Sequence, residues 1–230
     1  MIKEFQLQPD DFNFEKAPYE KSKRLLKSER NRQTYEEAKG DLFRLIKPVV
    51  GWNIFQIDSF KDGKVILTDG TKIGGGPVVP VIKGAVEIIL GICSIGPAVE
   101  EQTREYMKNK NMFKGVILDS LASWAVDKTR KKFCNWITKN IHMNEGYRTS
   151  IMLSPGESEW LITEQSVIFK LLKQEAQEIG VRLTESMLMI PLKSLSLLIG
   201  AGPNHLGKED GSSCEFCLQK DRCRYSEMRE

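Results

Sequence analysis

The chain has 230 residues, of which 40% are hydrophobic and 28% are charged, and its formal net charge is +3. These proportions are ordinary for a globular protein, and the small net charge argues against a dedicated nucleic-acid surface. The most apolar stretch, residues 78–99, carries Lys83, Glu87 and Pro97, so it is too interrupted to span a membrane. Five cysteines without an apolar leader favour a cytoplasmic protein, because disulfide frameworks belong to oxidising compartments.

The first third of the chain has the pattern of a helix followed by strands. Residues 16–47 predict a helix, because apolar side chains recur at helical spacing in its second half and Pro48 follows. Residues 52–73 predict short strands separated by turns that contain glycine. The three glycines before Pro77 lack the Lys-Ser/Thr ending of a phosphate-binding loop, so we interpret them as a connector.

The middle of the chain alternates buried strands and helices. Residues 86–92 form an almost continuous apolar run, which predicts a buried strand. Residues 117–137 predict a long helix with one apolar face. A second helix is predicted over residues 165–179, where Gly180 supplies a C-terminal cap, and residues 182–198 predict further strands.

A Pro-Gly turn lies between these two helices. Pro155 fixes its own φ and Gly156 permits a positive φ, so Ser154, Pro155, Gly156 and Glu157 predict a tight turn. Backbone groups beside a glycine are open to close approach by a ligand. Taken alone, the same residues also fit an ordinary loop before a helix.

Polar residues interrupt the apolar segment that follows the second helix. Leu-Thr-Glu-Ser occupies residues 183–186, Met-Ile-Pro occupies residues 189–191, and Lys-Ser occupies residues 193–194. With the Pro-Gly turn and the helix before them, these motifs resemble the activation domain of cobalamin-dependent methionine synthase. The resemblance covers residues 82–203 and is strongest over residues 180–196.

The resemblance implies an α+β fold. We expect a single C-shaped domain over residues 49–203, with a twisted, mainly antiparallel sheet flanked by helices. Residues 1–48 then form a helical extension. Residues 204–230 form a linker, rich in glycine, serine and charge, and a cysteine-rich tail.

The resemblance also implies a function. Members of the family bind S-adenosylmethionine in a shallow site and supply its methyl group when inert, oxidised cobalamin is reduced and remethylated. The chain is therefore expected to be an accessory protein for the reductive reactivation of a corrinoid-dependent methyltransferase. Its expected partner is a corrinoid protein or the methyltransferase itself, which carries the corrinoid.

Two positions of the Pro-Gly turn depart from the family pattern. Met152 falls where the family has an arginine that holds the carboxylate of the ligand, and Glu157 falls where it has a tyrosine. Methionine cannot replace a bidentate guanidinium, and a nearby glutamate repels a carboxylate. Either Arg148 takes over this role in an S-adenosylmethionine-binding methyl donor domain, or ligand binding is lost and a non-catalytic docking module for a corrinoid protein remains. The candidate ligand-contacting residues are Arg148, Ser154, Pro155, Gly156, Glu157 and Glu185.

Three cysteines are spaced C-x2-C-x5-C near the C-terminus. Clustered thiolates suit zinc or an iron–sulfur cluster, so Cys214, Cys217 and Cys223 are candidate metal ligands. A redox-active thiol pair is the alternative for the C-x2-C half. A tetrahedral site needs a fourth ligand, for which Cys93, His205 or a thiol of a second chain is a candidate.

Overall fold

In the computed structural model, which describes residues 5–14, 17–19 and 25–222, the chain forms six α-helices and eight strands. The helices are α1 (Glu29–Leu45), α2 (Val78–Ile82), α3 (Ala98–Lys108), α4 (Met112–Glu145), α5 (Gln165–Leu171) and α6 (Lys173–Glu178). The strands are β1 (Val49–Lys61), β2 (Lys64–Leu67), β3 (Lys72–Ile73), β4 (Glu87–Ser94), β5 (Arg148–Thr149), β6 (Arg182–Leu183), β7 (Met189–Ile190) and β8 (Ser194–Gly202).

Six of these strands form an antiparallel sheet in the order β3-β2-β1-β4-β8-β5, while β6 and β7 pair as a separate hairpin. The predicted α+β fold with an antiparallel sheet flanked by helices is thus confirmed. Every residue of the central strand β4 is buried. Because side chains alternate across a strand, Ile88, Leu90 and Ile92 face one side of the sheet, and Ile89 and Cys93 face the other.

Each face of the sheet is covered by its own apolar cluster. The main cluster includes Ile88, Leu90, Trp160, Ile168 and Leu172, and it joins the sheet to α2, α5 and α6. On the opposite face, the α4-facing cluster includes Ile89, Cys93, Phe133, Ile137 and Leu197.

Helices α1 and α3 pack on the first half of α4 around an N-terminal cluster that includes Tyr35, Leu42 and Leu121. The helix predicted over residues 16–47 was too long at its start. Ser28 has an extended backbone, with φ −87° and ψ 143°, and its side chain accepts a hydrogen bond from the amide of Asn31. This N-cap lets α1 begin only at Glu29.

Helix α4 is the longest element, with 34 residues, and therefore spans about 51 Å. It extends beyond both ends of the predicted helix over residues 117–137. Leu118, Ala125 and Phe133, which belong to the predicted apolar face, are fully buried. Gly146 follows the helix in a left-handed conformation, with φ 69°.

The helix predicted over residues 165–179 is divided into α5 and α6. At Leu172 the backbone leaves the helical region, with φ −98° and ψ 32°. Leu172 is fully buried in the main cluster with Ile168 and Ala176. The break between α5 and α6 thus lies at a residue whose side chain is buried in the core.

The segment predicted to be a linker is held by backbone hydrogen bonds. Gly207 donates to the carbonyl of Lys83, and Lys208 donates to the carbonyl of Val81, both at 2.9 Å. A Cβ atom at Gly207 would lie 1.7 Å from the Pro80 carbonyl oxygen, so only glycine fits this close approach. The chain between β8 and the tail therefore follows the body of the domain.

The apolar segments of the chain pack in the three apolar clusters described above. Within the described residues, no helix has both the length and the apolar character that a membrane span requires.

Candidate functional site

The Ser-Pro-Gly-Glu turn follows the short strand β5. Leu153 forms an isolated β-bridge with β8, and the Ser154 hydroxyl donates a hydrogen bond to the Ser196 carbonyl at 2.8 Å. The Gly156 amide donates to the carbonyl of Trp160 at 2.7 Å, which closes the loop. The start of the turn is therefore anchored on β8, and its far end on the buried Trp160.

The glycine of the turn has the conformation predicted for it. Gly156 has φ 89° and is exposed, whereas Pro155 beside it is buried. The chain continues through Ser158 and Glu159, which both lie in the left-handed region with φ 52° and 64°. Such backbone costs conformational free energy in non-glycine residues, so the surrounding contacts must hold it in place.

A residue that the sequence reasoning missed, Arg130 of α4, lies behind the turn. It is 7% exposed. One terminal nitrogen donates to the hydroxyl of Ser154 at 3.1 Å and lies 3.3 Å from the carboxylate of Glu157. The other donates to Asp127 at 2.8 Å. Arg130 therefore joins the long helix to both polar side chains of the turn.

The charge of Arg130 is balanced within the protein. Burial disfavours the charged guanidinium, but the carboxylates of Glu157 and Asp127 together raise the pKa of Arg130 above its ordinary value. Its remaining nitrogen, Nε, is buried without a hydrogen-bond partner among the described residues. In the sequence, its position three residues after Asp127 was the available signal, but the neighbouring lysines made it look like part of an exposed basic cluster.

The Lys-Ser motif after Pro191 meets the same helix. The Lys193 ammonium lies 2.7 Å from the Asp119 carboxylate and donates to the Ser123 hydroxyl at 2.9 Å. The next residue, Ser194, donates to the hydroxyl of Ser94 at 3.0 Å. Helix α4 therefore contacts the Pro-Gly turn through Arg130 and the Lys-Ser motif through Lys193.

Met152, where the family has an arginine, and Arg148, which was expected to compensate for its loss, lie apart. Met152 packs against the α4-facing cluster. Arg148 pairs with the far end of β8 and makes an ion pair of 2.9 Å with Glu209. Six residues of extended chain, roughly 20 Å, separate Arg148 from Ser154. The structure thus brings Arg130, and not Arg148, to the turn.

Glu185 lies in the connection between β6 and β7. It is exposed, and the hydroxyls of its neighbours Thr184 and Ser186 are 3.0 Å apart. The ammonium of Lys193, in the same segment, pairs with Asp119. Glu185 is therefore outside the contacts that surround the Pro-Gly turn.

Cys93 and Cys134 belong to the interior between β4 and α4. Cys93 is fully buried. Its burial, and to a smaller extent the nearby Cys134, raise the pKa of its thiol far above the ordinary value. Burial likewise raises the pKa of Cys134 to about 12. Buried thiols of this kind are poor nucleophiles because they resist ionisation.

The cysteine tail begins with a short turn that we call the cysteine knuckle, residues 212–217. Cys214 and Cys217 are both partly exposed, and the Cys217 amide donates to the Cys214 carbonyl at 3.1 Å. Cys223 lies outside the described residues. In the part of the chain that is described, no group of three or more histidine, cysteine or acidic side chains could hold a metal ion. His205 is exposed and lies 3.4 Å from Glu209.

The knuckle and the Pro-Gly turn are neighbours. The Ser158 hydroxyl donates to the carbonyl of Ser213 at 2.6 Å. Phe216, in the same knuckle, packs against the main cluster that contains Trp160. Two of the predicted metal ligands therefore lie beside the loop that contains the predicted ligand contacts, while Cys93 lies on the opposite face of the sheet from Phe216.

The chain was compared with known proteins. No family model and no curated protein matches it. A solved structure described as the MetH reactivation domain bound to AdoHcy matches with a TM-score of 0.51 and 16% sequence identity. The match covers 83% of this chain and 71% of that one. At this identity the similarity establishes a shared fold.

Proposed function

We propose that the chain is an accessory protein of a corrinoid-dependent methyltransferase and takes part in returning an oxidised corrinoid to its active, reduced state. The observation that carries the proposal is the contact of one helix, α4, with two of the family motifs, the Pro-Gly turn through Arg130 and the Lys-Ser motif through Lys193. This arrangement occurs in a fold shared with the structure described as the MetH reactivation domain. The partner is a corrinoid-carrying protein, on which the corrinoid stays.

The Pro-Gly turn is the proposed ligand position. The solved neighbour is described as bound to AdoHcy, which carries a carboxylate, as does S-adenosylmethionine. In this chain Arg130 supplies the guanidinium at Ser154 that Met152 cannot supply. A carboxylate from outside can reach that guanidinium only by replacing the carboxylate of Glu157, which is 42% exposed at its side chain. Gly156 is exposed beside it, although its amide is hydrogen-bonded to the Trp160 carbonyl.

The same contact favours a second candidate function, a docking module that no longer binds S-adenosylmethionine. The Arg130–Glu157 ion pair, 3.3 Å long, occupies the guanidinium from within the protein. Binding of an external carboxylate then requires the side chain of Glu157 to leave Arg130, either for another place in the protein or for water. A docking module would keep the fold and the surface around the turn while the ligand is lost.

The tail is proposed to hold a metal. Cys214 and Cys217 would supply two thiolates to zinc or an iron–sulfur cluster, and Cys223 would supply a third. A redox-active cluster would make the protein an electron carrier in reactivation, whereas zinc would be structural. Metal analysis and the absorption spectrum of anaerobically purified protein distinguish these outcomes.

Calorimetric titration with S-adenosylmethionine and with AdoHcy separates the two functions. We expect Glu157→Gln, which removes the internal carboxylate from Arg130, to bind either ligand at least about fivefold more tightly than the unaltered chain. The matched control is Glu209→Gln, which releases Arg148 instead and should change nothing. If neither ligand gives heat with any of the three proteins, the docking function stands and ligand binding is refuted. A gain with Glu209→Gln alone would assign the ligand to Arg148.

A further inference from the structure

The two described thiols of the cysteine knuckle lie at the ends of one turn. The amide of Cys217 donates to the carbonyl of Cys214 at 3.1 Å, so residues 214–217 form a hydrogen-bonded turn. The ends of such a turn have Cα atoms less than about 7 Å apart, and disulfides join residues whose Cα atoms are about 4.4–6.8 Å apart. Both thiols are free and partly exposed. A bond between the two sulfur atoms is therefore compatible with this backbone.

Other side chains of the knuckle hold this turn in shape. Ser212 and Glu215 form a reciprocal capping box around it, so each side chain bonds to the backbone of the other. The carboxylate of Glu215 also lies 2.8 Å from the ammonium of Lys208, which balances the only charge between the two cysteines. Phe216 packs against the main cluster. Among the contacts of the described residues, the shape of the turn thus depends on neither thiol, and both are left for chemistry.

The other two described cysteines are poorly placed to react with the knuckle. Cys93 and Cys134 belong to the α4-facing cluster, whereas Phe216 of the knuckle packs on the opposite face of the sheet. Burial also raises the pKa of both thiols. Exchange between thiols and disulfides needs a thiolate that the other sulfur can reach. Among the described cysteines, such exchange is therefore restricted to Cys214 and Cys217.

From these contacts we propose that Cys214 and Cys217 form a reversible dithiol–disulfide site whose substrates are small disulfides. One knuckle thiolate attacks a sulfur of the external disulfide, which releases one external thiol and leaves a mixed disulfide. The second knuckle thiolate then attacks the knuckle sulfur of that bond, releases the other external thiol and closes the Cys214–Cys217 bond. The knuckle loses two electrons and two protons, and the external disulfide gains both and becomes two thiols.

This site goes beyond the proposed function. A disulfide uses the two described thiols alone, whereas a tetrahedral metal site needs further ligands. The site also needs no ligand at the Pro-Gly turn. Its existence can therefore be tested without settling whether the tail binds a metal or the turn binds S-adenosylmethionine.

Mass spectrometry tests the site. The full-length chain is reduced, treated with a chelator, freed of both reagents and equilibrated without oxygen in mixtures of oxidised and reduced glutathione. Free thiols are then alkylated, and cleavage after Lys208 and Lys220 releases residues 209–220, which contain both cysteines. We expect this peptide to lose both alkyl groups and to carry an internal disulfide, and dithiothreitol should reverse the change.

Single substitutions show whether the second thiol closes the bond. Cys217→Ser and Cys214→Ser should each retain glutathione on the remaining thiol. The unaltered chain should retain at least about tenfold less, because the second thiol is held in the same turn. The matched control, Cys134→Ala, removes a cysteine outside the knuckle and should leave the disulfide unchanged.

The remaining outcomes would overturn the proposal. If the unaltered chain stays reduced in every mixture, or keeps glutathione as the two serine variants do, the knuckle is no disulfide site. A bond from either knuckle cysteine to Cys223 would refute the pairing that the turn predicts. Metal analysis of the untreated chain tests the metal separately. A metal in a chain that forms no disulfide refutes only this site, whereas a disulfide in a chain without metal leaves it standing.

Discussion

Arg130 donates a hydrogen bond of 3.1 Å to the hydroxyl of Ser154, across 24 positions of sequence. The hydroxyl in turn donates to the carbonyl of Ser196 in β8. Helix, turn and sheet thus meet at one buried serine. The guanidinium of Arg130 also pairs with the partly exposed carboxylates of Glu157 and Asp127, so this structural junction places a cation beside the proposed ligand position.

Replacing Arg130 by methionine should destabilise the protein by roughly 2 kcal/mol, because Ser154 loses a charged donor and Glu157 loses its partner, while Asp127 keeps its ion pair with Lys131. Urea unfolding measures the loss. The control is Arg148→Met, which breaks an ion pair at a side chain that is 44% exposed. That change should cost at most about 1 kcal/mol. Equal losses for the two variants would contradict the junction role.

Gly200→Ala should destabilise the protein by about 1–3 kcal/mol, since overpacking strains a dense core. A Cβ atom at Gly200 in β8 would lie 2.6 Å from the Cβ of Ile82 in α2. Gly40 offers a matched control in α1, where a Cβ atom would meet nothing within 4 Å. Gly40→Ala should be neutral or stabilising by up to about 1 kcal/mol, because alanine favours the helix. Thermal unfolding compares both variants, and similar effects would refute the packing argument.

Stability should fall in acid through Asp41, where α1 meets α3 and α4. Burial would raise the pKa of Asp41, but hydrogen bonds from Tyr106 and Lys114 outweigh it and hold the pKa below its ordinary value of 3.8. The stabilisation from a depressed carboxyl pKa is present above the unfolded value and is lost as the pH falls through the folded value. The loss should therefore begin near pH 4.

Asp41→Asn removes the titrating group and serves as the test. Its melting temperature should be lower than that of the unaltered chain at pH 7, and the difference should shrink as the pH falls below about 4. Asp69→Asn controls for general acid effects, because Asp69 also has a lowered pKa, but from hydrogen bonds to Thr71 within one exposed turn. A difference for Asp41→Asn that stays constant from pH 7 to pH 3 would contradict the assignment.

Thiol labelling should divide the cysteines into two classes. Burial raises the pKa values of Cys93 and Cys134, so in the folded protein both should react with iodoacetamide at pH 8 on the order of 100-fold more slowly than Cys214 and Cys217. Peptide mapping by mass spectrometry assigns each rate. In urea all four should react alike. Rapid labelling of Cys93 in the folded protein would refute its burial and reopen it as a metal ligand.

The sequence was sufficient to predict single elements of the core from their apolar patterns, whereas the antiparallel sheet was expected from the family resemblance. The continuous apolar run of β4 reflects a strand with a core on both faces. The apolar stripe of α4 predicted its buried side chains correctly. Only the limits of these elements were misjudged, as at Ser28, where a local capping contact decides the start of α1.

The sequence was insufficient where a contact depends on the way two distant segments meet. Arg130 looked exposed among lysines, and only the packing of α4 on the sheet turns it toward Ser154. Arg148 looked close enough to serve the turn, yet the direction of β5 carries it toward Glu209. Leu172 fitted an unbroken helix, yet its backbone leaves the helical region. Local periodicity determines neither the direction of these two side chains nor a break of this kind.

The position of β4 has a consequence for synthesis on the ribosome. One of its two neighbours, β8, is made much later, since Ser94 contacts Ser194 across 100 positions. Until β8 emerges, the nascent chain presents an open strand edge that is apolar on both faces, which is an aggregation hazard. Fragments that end before residue 194 should therefore need a chaperone to stay dispersed, and the core is expected to be completed only after β8 has been translated.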